Sequence, residues 1–170
     1  SIISYVNSNE NAFGMAGMTV TEDRKKSVDF TTSYAKGIQS VIVAENSDIK
    51  TIEDLAGKKI GVQLTTTGDI YATDDFGKEY VVEYNKATDC VLGLKNGDVD
   101  AVIIDNAPAQ VFVEENEGLK LLETEYANED YAIAVKKGNS ELLEKLDKAI
   151  TELIDDGTVQ KIVDKYIPSK

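Results

Sequence analysis

Between Ile38 and Leu122 short apolar runs alternate with segments that read as helices, and no other feature restricts the fold of this chain as strongly. Ile38 to Ala44 is strand-like, because Val41, Ile42 and Val43 are β-branched and continuous, as in a strand buried on both faces. Thr51 with Asp54 makes a capping box for a helix ending near Gly57, and Lys59 to Val62 is the next strand. A polar turn opens a helix from about Gly68 to Asp75, followed by a strand from Tyr80 to Tyr84. Thr88 caps a helix that Gly97 ends, Ala101 to Ile104 is an apolar strand, a helix runs from about Ala107 to Asn116, and Leu119 to Leu122 is the last strand. Alternation with short loops predicts an α/β fold, a parallel sheet covered on both faces and built from right-handed crossovers. Ligands of such sheets lie at the carboxyl ends of the strands.

The two ends of the chain read differently. Ser1 to Ser8 has the pattern of the last turns of a helix, and Ala12 to Ala16 that of a short buried strand. Tyr131 to Val135 is a strand and Lys136 to Asn139 a turn. Ser140 caps a long amphipathic helix with Leu142, Leu143, Leu146, Ile150, Leu153 and Ile154 on one stripe and Gly157 at its end. A final helix carries Val159, Ile162, Val163 and Tyr166 on its apolar side and stops before Pro168. Crossings near Gly37 to Gln39 and near Thr124 to Asp130 divide the chain into residues 38–124 and, as a second body, residues 1–37 with 125–170. The second body lacks the strand–helix units needed to sandwich its helices; by the size of a βαβ unit, roughly 60 or more residues belong upstream. Exposed apolar surface is expected there, covered by a second copy, a swapped element or a separate chain.

Charge and composition exclude several functions. The 31 acidic against 18 basic residues leave a net charge of −13, which argues against nucleic acid as a partner. With no histidine, the chain lacks the commonest general base and metal ligand, and Ser-His or Cys-His nucleophilic catalysis within it is impossible. Carboxylates alone remain for acid–base work, and no cofactor or metal is expected. Cys90 is the only cysteine, so no intramolecular disulfide forms; with Leu94 four residues on, it fits the apolar face of a helix. No run has the length and apolarity of a membrane span, and without a starting methionine the chain reads as processed, cleaved or trimmed.

Three stretches carry chemistry. In the first, Gly17-Met18-Thr19-Val20-Thr21-Glu22-Asp23-Arg24-Lys25-Lys26-Ser27-Val28-Asp29-Phe30, a glycine turn leads into a short threonine-capped helix. Gly17 permits close backbone approach, the helix start leaves N–H groups unpaired, and Arg24 can bind a carboxylate through two parallel hydrogen bonds. Thr19 to Glu22 equally fits a capping box in which the threonine serves only the helix and Arg24 is a solvated charge. In the second, Gly61-Val62-Gln63-Leu64-Thr65-Thr66-Thr67-Gly68-Asp69, a strand delivers hydroxyls and N–H groups to a helix start; N-capping by Thr66 or Thr67 is the plainer role. In the third, Asp100-Ala101-Val102-Ile103-Ile104-Asp105-Asn106-Ala107-Pro108, Asp105 follows four apolar residues at the carboxyl end of a strand, where it either meets a ligand or caps the helix containing Pro108.

These strings together resemble the ligand motifs of the polar amino-acid-binding proteins of ABC importers, the family 3 extracellular solute-binding proteins. The resemblance implies a two-lobe periplasmic-binding-protein-like fold, with lobe two a complete doubly wound sheet and lobe one incomplete. It also implies that Arg24 clamps the ligand carboxylate with the Thr19 N–H, Thr66 and Thr67, that Asp105, the Thr19 hydroxyl and the Gly17 carbonyl take the ammonium, and that Gln63 reads the side chain. Thr65 stands where the family most often has glycine. The implied partners are a free polar amino acid and ABC permease membrane subunits, with self-association or a complementing N-terminal segment, and the implied location is extracytoplasmic, in the periplasm or as a lipoprotein on the outer face. A cyclohexadienyl dehydratase-like enzyme on the same scaffold, and a fragment that no longer binds ligand, are the alternatives.

Overall fold

The computed structural model describes residues 1–166. Its first half runs α1 (Ile2–Ser8), β1 (Phe13–Gly14), α2 (Glu22–Ser27), β2 (Val28–Phe30), β3 (Ala35–Ala44), β4 (Ile60–Gln63), α3 (Thr67–Phe76) and β5 (Val81–Tyr84). It continues with α4 (Ala87–Asn96), β6 (Ala101–Asp105), α5 (Asn106–Glu115), β7 (Leu119–Leu121), β8 (Ala127–Tyr131), β9 (Ala134–Lys136), α6 (Ser140–Asp155) and α7 (Thr158–Tyr166). The chain divides into a central unit, Ile38–Asn128, and a terminal unit made of Ser1–Gly37 and the chain from Glu129 onward. Strands β3 and β8 carry the chain from one unit to the other.

The central sheet has the order β5-β4-β6-β3-β7. Side chains alternate across it, so Val41, Val43, Ile60, Val62, Ala101 and Ile103 face one core, with Ala72 of α3 and Leu55. Ile42, Val102 and Ile104 face the other, with Cys90, Val91 and Leu94 of α4 and Ala109 of α5. Each fully buried Val or Ile in these layers contributes about 1.5–3 kcal/mol of hydrophobic stabilisation. Burial pushes the Cys90 thiol up to about 11, in keeping with its place in the core. The sheet is mixed, however, not parallel throughout. β4 runs parallel to β5 and β6, whereas β3 is antiparallel to β6, from Gln39 opposite Asp105 to Val43 opposite Ala101, and antiparallel to β7. A continuous β-branched run suits a doubly buried strand in either direction, so apolarity alone does not reveal the sense of β3.

The terminal unit has a three-stranded antiparallel sheet, β1-β9-β2. Val6 of α1, Met18, Val28 and Ala134 form its small core, flanked by Ile3 and Phe30. The expected strand from Ala12 to Ala16 is only Phe13–Gly14. Nor is it buried, since Phe13 and Met15 are half exposed. Only Gly14 faces α1, and Ile2 packs so closely over it that a Cβ there would lie 2.6 Å from Ile2 Cγ2. The expected strand Tyr131 to Val135 is divided between β8 and β9. Ala132 and Ile133 between them are buried but bond elsewhere, Ala132 N–H to the Met18 carbonyl and Ile133 N–H to Thr31 Oγ1.

Several helix starts also differ from expectation. Asn139, not Ser140, caps α6 by accepting from Leu142 N–H, and along the α6 stripe only Ile150 is buried. Thr88 lies inside α4, whose N-cap position is Lys86. Thr51 and Asp54 open no α-helix: Asp54 accepts from the N–H groups of Lys50 and Thr51, and only a 3₁₀ turn, Glu53–Leu55, follows. The expected stop before Pro168 lies outside the described residues. Exposed apolar side chains occur on the terminal unit at Ile2, Tyr5, Phe13, Met15, Leu153, Ile162 and Tyr166, and on the central unit at Leu64, Ile70, Leu92 and Val111. Among the described residues no helix is long and apolar enough to cross a membrane.

Candidate functional site

The candidate residues fall into two groups, one on each unit. On the terminal unit Gly17 takes the left-handed conformation, φ +55°, that glycine adopts without strain, and the turn packs on the ring of Tyr131. Thr19 then forms an isolated antiparallel bridge with Tyr131. Ala132 N–H donates to the Met18 carbonyl (3.1 Å) and Val20 N–H to the Asp130 carbonyl (3.0 Å). Thr19 therefore occupies the non-hydrogen-bonded position of the bridge, with its own N–H and carbonyl both directed away from Tyr131. There the Arg24 guanidinium donates to the Thr19 carbonyl at 2.9 Å.

Arg24 is placed by the start of α2. Thr21, not Thr19, is the N-cap, accepting from Arg24 N–H at 3.1 Å, so the capping box read from Thr19 to Glu22 does not form. Thr19 is buried and Arg24 half-buried. The Arg24 guanidinium and the backbone edge of Thr19 that it bonds thus lie together on the side of the bridge turned away from Tyr131.

On the central unit Gln63 ends β4 and is half-buried. Its carbonyl accepts from both Thr66 Oγ1 (2.7 Å) and Thr66 N–H (3.2 Å). Thr66 caps α3, accepting from Asp69 N–H at 3.4 Å, while the Asp69 carboxylate returns to Thr65 N–H at 2.9 Å. The Thr66 hydroxyl and N–H both engage protein groups, and Thr67 is the first helical residue, buried. The first-turn N–H groups at Thr67 and Gly68 lie at the positive end of the helix dipole. Thr65 is the one non-glycine with positive φ among the described residues, at +66°. This explains why glycine suits the position, since a β-branched residue there costs of order 1–3 kcal/mol.

Asp105 ends β6 and caps α5, accepting from Ala107 N–H at 3.0 Å. Opposite it in the β3–β6 ladder stands Gln39, a residue the sequence reading passed over. Gln39 is buried, and its side-chain oxygen lies 2.9 Å from where a Cβ on Gly68 would sit. It therefore brings the Asp105 strand end close to the first turn of α3, where the lack of a side chain at Gly68 leaves space for it. The available signal was a polar pair, Gln39-Ser40, at the mouth of an apolar run. Tyr34, also passed over, accepts from Gly17 N–H at 3.2 Å. Burial raises the Tyr34 phenol above its ordinary range, with the Gly17 N–H offsetting part of that shift.

Known proteins share this arrangement of sequence. A family model described as bacterial extracellular solute-binding proteins, family 3, matches residues 1–169. ABC transporter arginine-binding protein 1 of Escherichia coli (strain K12) is 35% identical over 159 residues, 91% of this chain and 65% of that protein. The ABC transporter glutamine-binding protein GlnH of Bacillus subtilis (strain 168) is 33% identical over 154 residues, 90% of this chain and 56% of that protein. The chain thus spans between about half and two thirds of these relatives. Among solved structures, an ancestral arginine-binding protein bound to glutamine is 42% identical with a TM-score of 0.89, covering 99% of this chain and 76% of that one. These relatives are named for binding and not for catalysis, so the dehydratase alternative finds no support among them. With its two-unit α/β architecture and a match along nearly its whole length, the chain belongs to the family 3 bacterial extracellular solute-binding proteins.

Proposed function

We propose that the chain is the substrate-binding part of an ABC importer, taking a polar amino acid of the arginine or glutamine kind and delivering it to membrane permease subunits. The observation that carries this reading is the placement of Arg24 beside the outward-facing backbone of Thr19. In this reading Arg24, the Thr19 N–H and Thr67 take the carboxylate, with Thr66 holding the loop beside them through its two bonds to the Gln63 carbonyl; Asp105, the Thr19 hydroxyl and the Gly17 carbonyl take the ammonium; Gln63 meets the side chain. A ligand engaging both units would favour whichever arrangement satisfies both of its charges. Arginine- and glutamine-binding relatives support the ligand class. The apolar side chains exposed on the terminal unit support self-association or a complementing N-terminal segment, which a compact monomer in sedimentation would contradict.

Titration calorimetry against the twenty amino acids tests the reading. Binding of a polar amino acid should weaken by about 2–5 kcal/mol in Arg24→Ala, the usual effect of removing one partner of a hydrogen-bonded charge pair. Equal affinity in the variant would remove Arg24 from the site. No binding by a folded wild-type chain would favour the fragment alternative.

A further inference from the structure

We infer that Tyr34 is a positioning residue for the Gly17 turn, setting ligand affinity without touching the ligand; its bearing on affinity rests on the function proposed above. A left-handed glycine has unusual freedom, and ordering one residue costs roughly 1–2 kcal/mol, so a turn that must present its backbone to a ligand gains from an outside anchor. The Tyr34 hydroxyl supplies one by accepting from Gly17 N–H at 3.2 Å, while the Tyr131 ring lies beneath the same glycine.

The anchor is itself held. Tyr34 N–H donates to the Tyr131 carbonyl at 2.9 Å, and Thr31 exchanges two bonds with Ile133, N–H to carbonyl at 3.0 Å and Oγ1 from N–H at 3.1 Å. Thr32 N–H reaches the Asp147 carboxylate at 2.5 Å, and Ser33 Oγ reaches the Ala35 carbonyl at 3.1 Å. Lys36 closes the segment through its ion pair with Asp130. A loop tied at so many points is a rigid arm, and the hydroxyl at its tip meets the one residue of the turn that lacks a side chain of its own.

The Tyr34→Phe variant removes only the hydroxyl and keeps the ring. Gly17 is exposed, so water can take over its N–H, and the melting temperature should stay unchanged. Affinity for the preferred amino acid should fall roughly 3- to 10-fold, the range of one lost hydrogen bond. In ¹H–¹⁵N spectra the Gly17 amide should move and exchange faster with solvent. Unchanged affinity in a binding-competent protein, or an unmoved Gly17 amide, would overturn the inference. If the wild-type chain binds no amino acid, the proposed function fails separately, and the Gly17 amide alone decides whether Tyr34 holds the turn.

Discussion

The central and terminal units are built from the same kinds of element and differ in what their sheets face. Both faces of the central sheet are covered by helices over continuous layers of fully buried aliphatic side chains. The terminal sheet has three strands and one small core, and the long stripe on α6 buries only Ile150. The contrast shows that apolar periodicity predicts a helix more securely than it predicts what the helix covers. The α6 stripe is as regular as any in the chain, yet Leu153 is 40% exposed.

The contrast can be broken or sharpened. The largest effect is expected from Ile103→Ala, which removes a side chain 1% exposed at the centre of one core layer and should cost about 2–5 kcal/mol in denaturant unfolding. Native-state hydrogen exchange should then find the slowest amides in β3, β4 and β6, with β1, β2 and β9 opening at lower free energy. Equal protection in both sheets would break the comparison.

A smaller effect should follow Gly37→Ala. Tyr131 packs against Gly37 so closely that a Cβ would lie 2.0 Å from its Cζ, and overpacking of this kind costs about 1–3 kcal/mol. The loss should come with altered Gly17 signals, because the same ring lies beneath that turn; a change confined to central-unit residues would contradict the assignment of this contact.

The smallest effect concerns pH. The Lys137 ammonium, with the Gly138 N–H, holds the Asp29 carboxylate below its ordinary value. Asp29 therefore binds fewer protons folded than unfolded, so its contribution is complete above 3.8 and is lost as the pH falls through the lower folded value. Acid unfolding of Asp29→Asn should lack this component, and an unchanged acid limb would show that the ion pair contributes nothing measurable.

Much of the architecture was legible because its signals are local. Val41 to Val43 are β-branched and buried, and Gly97 ends α4 in the left-handed conformation at φ +79°. Strand direction was not, because apolarity is the same whichever way β3 runs. Caps were legible only to within a residue or two: Thr19 and Thr21, or Asn139 and Ser140, are about equally good caps, and the winner is the side chain whose reach matches the first turn. The candidate residues stood out through motif strings, whereas Gln39 and Tyr34 did not. Each matters through a partner distant in sequence, Gln39 through Gly68 and Asp105 and Tyr34 through Gly17, and no local pattern encodes such pairings.

The most direct measurement is a ¹H–¹⁵N titration of the chain with arginine and with glutamine. The account predicts that one ligand perturbs, along a single saturating curve, both the Gly17 to Arg24 amides of the terminal unit and the Thr66 to Asp69 and Asp105 amides of the central unit. Perturbation of one group alone, or of neither while the spectrum reports a folded protein, would contradict it.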